Sequence, residues 1–327
     1  MSRGPRGDTP ALRCVALRLT ASRNLRQRPA PPPVPPFAPA RMADGARAHE
    51  RDQIMTDAAD PMMQVAHALA DAGRIPALRH FRAKGLSADN KAAAGAFDPV
   101  TVADREVEAA MRATLARLRP DDAIIGEEQA ATGGATGLTW VLDPIDGTRA
   151  FLIGAPTWGM LIGLSDATGG APRARLGVMD QPWTGDRFWG DGKAAFTARP
   201  GHSDGAETPR RLTTRRVTDL ADALLSTTFP EVGTPEEAAL FAGLKSEARL
   251  TRYGLDCTAY ALLAAGHLDL VAEAGLQPYD ILALIPIIEG AGGVVTGWDG
   301  GVALNGGRVL AAANAELHAA ALARLAG

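Results

Sequence analysis

The sequence predicts a mixed fold: an α+β half followed by an α/β half. Three observations carry that expectation. Two amphipathic helical patterns precede a run of short strands between residues 55 and 198. The strands in that run are separated by Gly and Pro turns, as in an antiparallel meander. Beyond residue 212 helical and strand patterns alternate instead. At 327 residues and 46% hydrophobic content the chain can bury a substantial core.

The elements follow in order. Residues 62–82 (MMQVAHALADAGRIPALRHFR) read as an amphipathic helix, followed by a polar stretch containing Lys91. Residues 104–118 place Val107, Met111, Leu115 and Leu118 on one helical face, and Pro120 ends it. Strands are expected at 123–127, 139–145 and 158–166, and the segments ARLGVMDQP, RFWGDG and AAFT continue the meander. Residues 199–211 (RPGHSDGAETPRR) read as a linker. Helices are then expected at 235–248 and 256–267, a strand at 268–274, and one helix from Tyr279 to the glycines at 292–293. Strands over 294–298 and 308–314 and a closing helix over 315–326 complete the pattern.

Charge separates the N-terminal segment from the rest. Residues 1–54 hold ten Arg, no Lys and four acids, a balance of +6, while the remainder carries −9 within a total of −3. The segment includes PAPPPVPPFAPA and buries too little apolar surface to offset its chain entropy, so disorder is expected. It reads as a transit peptide, as a secretory signal interrupted by Arg13 and Arg18, or as a misassigned start upstream of Met42 or Met55. The last reading is preferred. An acidic body is a poor match for nucleic acid, which requires clustered Lys and Arg. No apolar run spans a membrane. Cys14 and Cys257 offer no disulfide framework or cysteine-based metal site, and a reducing cytoplasm is the natural expectation.

The chemistry concentrates in carboxylates. Asp143-Pro-Ile-Asp146-Gly-Thr148 follows an apolar strand directly. Pro144 restrains the backbone, Gly147 permits close approach of a ligand, and the turn can aim two carboxylates and a carbonyl at one point. Such an oxygen-only environment suits a hard cation such as Mg²⁺. A helix beginning near Thr148 would turn the Gly147 and Thr148 amides toward an anion. Glu127 ends another apolar strand. Asp104 and Asp280 each open a helix, where a capping role is the competing reading.

These elements together resemble the inositol monophosphatase superfamily of Mg²⁺-dependent phosphatases. The matching segments are Asp98-Pro-Val-Thr-x-x-Asp104, Gly126-Glu127-Glu128, Trp140-Val-Leu-Asp143-Pro-Ile-Asp146-Gly-Thr148 with Phe151, and Tyr279-Asp280 followed by Glu289-x-Ala-Gly-Gly293. They occur in family order over roughly residues 60–325. The resemblance implies a layered αβαβα sandwich, usually a homodimer, with two or three Mg²⁺ per site. It implies Glu127, Asp143 and the Ile145 carbonyl as ligands of one ion, and Asp143, Asp146 and Asp280 as ligands of a second. Thr148 and Asp104 match the pair that activates water, with Glu127 nearby; Gly147, Thr148 and Lys91 match phosphate-side positions.

Residues 252–260 (RYGLDCTAY) are similar to the R-x-G-G-D-C-Y-x-Y signature of the histidinol-phosphatase branch, with Leu255 and Thr258 departing from it. That branch implies hydrolysis of L-histidinol phosphate in histidine biosynthesis, with Asp256 and Glu273 facing the substrate's cationic groups. Arg252 would pair with Asp256 or take the phosphate. A broad-specificity inositol-1-monophosphatase and a non-catalytic partner of the transcription machinery are the alternatives.

Overall fold

The computed structural model describes residues 60–84, 88–90, 99–199 and 208–326, so the expectations for residues 1–54, Lys91 and Asp98 lie outside the described residues. Helix α1 (Pro61–His80) begins at Asp60, whose Oδ1 accepts from the Met62 amide at 2.8 Å. Strands β1 (Ala88–Asn90) and β2 (Pro99–Thr101) form a small antiparallel ribbon ahead of helix α2 (Val102–Leu118).

A sheet of seven strands follows: β3 (Ala123–Gly126), β4 (Leu138–Asp146), β5 (Gly159–Asp166), β6 (Arg173–Asp180), β7 (Arg187–Gly190), β8 (Ala195–Ala198) and β9 (Arg210–Arg211). Helix α3 (Thr148–Ile153) interrupts it after β4. Strand β3 runs parallel to β4, and every later pairing is antiparallel. Arg210 and Arg211, expected in a linker, instead pair with Thr197 and Phe196 as the sheet's edge.

The second half comprises β10 (Leu224–Thr227), α4 (Pro235–Glu247), β11 (Leu250–Tyr253), α5 (Cys257–Ala264), β12 (Leu270–Leu276), α6 (Pro278–Ile281), α7 (Leu284–Gly290), β13 (Val294–Gly297), β14 (Gly307–Ala312) and α8 (Ala315–Leu325). Its sheet has the order β11-β10-β12-β14-β13, with β10 parallel to both neighbours.

The period of two along the strands assigns each face to a layer. On β5, Met160, Ile162 and Leu164 pack with α1 and α2, whereas Leu161 faces α5, α6 and α7. On β14, Val309 and Ala311 face the same middle helices, whereas Leu310 and Ala312 pack against α4 and α8. The result is helix, sheet, helix, sheet, helix: the expected five-layered sandwich.

A row of glycines brings the middle helices onto the first sheet. Gly163, Gly177 and Gly190 lie side by side in the β5, β6 and β7 register. A Cβ on Gly177 would collide with the Ala283 carbonyl oxygen, and one on Gly163 would fall 3.0 Å from the Ala283 amide nitrogen. The Ala283 backbone therefore rests directly on the sheet. There the helix expected from Tyr279 to the glycines divides into α6 and α7. Leu118, expected on the buried face of α2, is 42% exposed, because only Val107, Met111 and Leu115 reach the sheet.

Candidate metal centre and adjoining cleft

Strand β3 ends at Gly126, opposite Leu142 of β4. The Glu127 amide donates to the Leu142 carbonyl at 3.3 Å, which sets Glu127 beside the start of the Asp143–Thr148 turn. Glu108 on α2 holds that end of β3 in place: it accepts from the Glu128 amide at 2.7 Å and the Gln129 amide at 3.1 Å. Gly126 makes the approach possible, since a Cβ there would lie 2.3 Å from the Glu108 carboxylate. Glu108 is fully buried, and nothing in the sequence sets it apart from other acids on helices.

Within the turn, Asp143 Oδ1 accepts from the Ile145 amide at 3.0 Å, which leaves its second oxygen for the site. The Ile145 carbonyl accepts from Thr148 Oγ1 at 3.1 Å and retains a lone pair. Asp280 arrives from α6, where its Oδ2 accepts from the Gln277 amide at 2.6 Å. Asp143, Asp146 and Asp280 each bring one carboxylate oxygen within 4.8 Å of the others. Asp104 repeats the pattern. Its Oδ2 closes a capping box with the amide and hydroxyl of Thr101 at 2.8 and 2.6 Å, and its Oδ1 faces Thr148 Oγ1 at 3.5 Å. Capping and site roles, which compete when the sequence is read alone, are compatible on Asp104 and Asp280 because a carboxylate has two oxygens.

Electrostatics show what this cluster favours. Burial holds Asp143 well above the usual carboxylate range, and its charged neighbours Glu127, Asp146, Asp280 and Asp104 push the same way. Asp146 is raised by burial and by Asp256 and Asp280, against the Cys257 amide that donates to its Oδ2 at 2.6 Å. Buried carboxylates are tolerable when paired or metal-bound. An all-oxygen set with no cationic side chain among Asp143's principal neighbours fits a hard divalent cation. Glu127, Asp143, Asp146, Asp280 and the Ile145 carbonyl are the groups that would hold it.

Next to the cluster opens a cleft of about 410 Å³, whose lining includes Glu127, Asp146, Gly147, Thr148, Asp256, Glu273 and Asp280. Gly147 has φ 84°, and a Cβ on it would crowd Asp256 at 3.0 Å, so the turn and the start of α5 touch through glycine. Asp256 itself has φ 48°, an unfavourable backbone for a residue with a side chain, and is raised by burial to about 6. Glu273 on β12 accepts from Thr227 Oγ1, the Thr228 amide and Thr228 Oγ1 at 3.1, 2.8 and 2.9 Å; burial lifts it to about 7.

Arg252 is the exception among the candidate residues. Period-two alternation on the edge strand β11 leaves its side chain exposed. It does not line the cleft, and no ion pair joins it to Asp256. Thr228, Phe229, Arg149 and Tyr260 line the cleft without having been singled out. Tyr260 alone carried a signal, as the last residue of the 252–260 stretch.

A sequence model of the inositol monophosphatase family matches residues 58–326. The bifunctional phosphatase IMPL2, chloroplastic, of Arabidopsis thaliana is 36% identical over 277 residues, 81% of this chain and 75% of that protein. A histidinol-phosphatase of Mycobacterium tuberculosis is 37% identical over 266 residues, 80% of this chain and 97% of that one. A solved structure of an inositol monophosphatase from Zymomonas mobilis superposes with a TM-score of 0.68 at 38% identity, covering 81% of this chain and 97% of the other.

Proposed function

This chain belongs to the inositol monophosphatase family, and within it we propose a Mg²⁺-dependent phosphomonoesterase that hydrolyses L-histidinol phosphate to L-histidinol and phosphate. The observation that carries the reading is the pair Asp256 and Glu273, two carboxylates on the cleft wall in addition to the metal cluster. L-Histidinol phosphate carries an ammonium and an imidazole, and both are complemented by carboxylates. The 37% identical histidinol-phosphatase supports the same substrate. Leu255 and Thr258, where the branch signature is broken, both lie outside the cleft lining. Thr258 is occupied structurally, donating to the Thr157 carbonyl at 2.7 Å and accepting from Gln181 at 2.8 Å.

The geometry supports the following division of labour. Asp104, anchored by its capping box, takes the Thr148 hydroxyl proton on Oδ1; Thr148 Oγ1 then receives a proton from the attacking water. Water oxygen bonds to phosphorus as the bond to the alcohol oxygen breaks; the departing oxygen takes a proton from solvent in the open cleft, and Asp104 afterwards releases its own to solvent. A bound divalent cation would stabilise the charge on the phosphoryl oxygens and acidify water. Gly147 and Thr148 take the phosphate side of the cleft, and Asp256 and Glu273 the alcohol side.

Phosphate release by the full chain with Mg²⁺ tests the reading, with L-histidinol phosphate and myo-inositol 1-phosphate compared side by side. A larger kcat/KM for L-histidinol phosphate is expected, and a larger value for the inositol ester overturns the substrate. That second outcome is the broad-specificity inositol-1-monophosphatase reading, which the 38% identical Zymomonas mobilis structure favours. The family further leads us to propose a cytoplasmic homodimer, checked by light scattering. Among the described residues no helix is long and apolar enough to cross a membrane.

A further inference from the structure

The hydroxyl of Tyr260 is a buried polar atom with no hydrogen-bond partner. The residue is 3% exposed, yet it lines the cleft. Buried hydroxyls are ordinarily partnered, and one left alone costs the fold its full desolvation penalty. Tyr260 sits on α5, three residues beyond the Cys257 amide that binds Asp146. Glu273 and Asp146 are its foremost charged neighbours.

The acceptor capacity of Glu273 narrows what can enter beside it. An ionised carboxylate offers roughly four lone-pair sites. Thr227 Oγ1, the Thr228 amide and Thr228 Oγ1 occupy three of them. One remains, and Glu273 is a charged neighbour of the Tyr260 hydroxyl, which is unpartnered as donor and as acceptor alike. The buried charge on Glu273 seeks a positive donor, and the tyrosine oxygen can accept from that same group.

We propose that Tyr260 is a specificity-determining residue whose hydroxyl oxygen accepts a hydrogen bond from the protonated amine of an amine-bearing phosphate monoester, while Glu273 balances that amine's charge. This rests on the substrate class proposed above and adds a residue to it. A hydroxyl in the amine's place can donate to Tyr260 but leaves the Glu273 charge uncompensated, so discrimination against polyol esters follows.

Tyr260→Phe removes only the oxygen. The expected result is a KM for L-histidinol phosphate raised by about tenfold, the scale of one hydrogen bond to a charged group. That increase should exceed the change with myo-inositol 1-phosphate at least ~5-fold on the same scale. The ligand-free variant should melt a few degrees higher than the wild type, because the orphaned hydroxyl is gone. A purely structural tyrosine would shift both substrates alike. Equal KM changes, or none, overturn the proposal. Each value is a ratio of variant to wild type, so the result stands whichever ester the wild type prefers. In the Tyr260→Phe, Glu273→Gln double variant the KM effects should be non-additive; additive effects overturn the shared-amine geometry.

Discussion

The backbone amide of Cys257 donates to Oδ2 of Asp146 across 2.6 Å, joining positions 111 residues apart. It ties the start of α5 in the second half to the acidic cluster at the end of β4 in the first. A helix N-terminus favours a negative carboxylate. It opposes the burial and the Asp256 and Asp280 charges that raise Asp146.

Asp146→Asn keeps an oxygen for that amide while removing the charge. The fold should persist and turnover of either ester should fall by more than about 10²-fold, beyond what loss of an outer-sphere partner causes. In EDTA the variant should melt above the wild type, since one of the mutually repelling acids is gone. Added Mg²⁺ should raise the wild-type Tm and not the variant's. Retained turnover would refute the metal-centre assignment.

Thr148 and Asp104 should behave as one unit. Thr148→Val and Asp104→Asn are each expected to lower kcat by about 10²–10⁴-fold, the range for a positioned proton acceptor, with KM little changed. The double variant should be little worse than either single one. Multiplicative losses in steady-state kinetics would show that the 3.5 Å approach between them has no role in proton transfer.

Gly177 bears on activity from a distance, because Ala283 lies on it and Asp280 is three residues upstream. Gly177→Val should cost about 3 kcal/mol in urea unfolding, the upper range of overpacking, and should weaken Mg²⁺ binding. Gly169→Ala, where no atom lies within 4 Å of the new Cβ, is the control and should leave stability within ~0.5 kcal/mol.

Glu273 gives the metal-free protein a pH dependence. Its folded value of about 7 lies above the ordinary 4.5, so the folded chain holds the proton that the unfolded chain releases between those values. The resulting stability is fully present below pH 4.5 and is lost as pH rises through 7, an effect of up to about 3 kcal/mol. Calorimetry in EDTA should therefore show Glu273→Gln gaining stability relative to wild type at pH 8 but not at pH 4.5. An equal offset at both values would mean that Glu273 does not titrate in this window.

Much of the site was legible in the sequence because its parts are local. The Asp143–Thr148 turn, the caps at Asp104 and Asp280 and the apolar runs of β4 and β5 each depend on a few adjacent residues. Strands β10 and β11 were not legible: four residues each, LLST and LTRY, carry no pattern that separates them from loop. Arg252 looked like a substrate residue until the edge strand turned it outward.

By itself the sequence determined which acids are available, their order, and the alternation that splits each sheet into two faces. Tertiary structure alone decided that Asp146, Asp280, Glu273 and Tyr260 converge on one cleft. It also decided that Glu108 clamps the Glu127 loop and that the middle helices rest on a glycine row. The reason is physical: hydrogen-bonded turns and caps close over three or four residues. Convergence across a hundred residues depends on how closely two segments can pack, and here Gly147 against Asp256 and Gly177 against Ala283 set that distance.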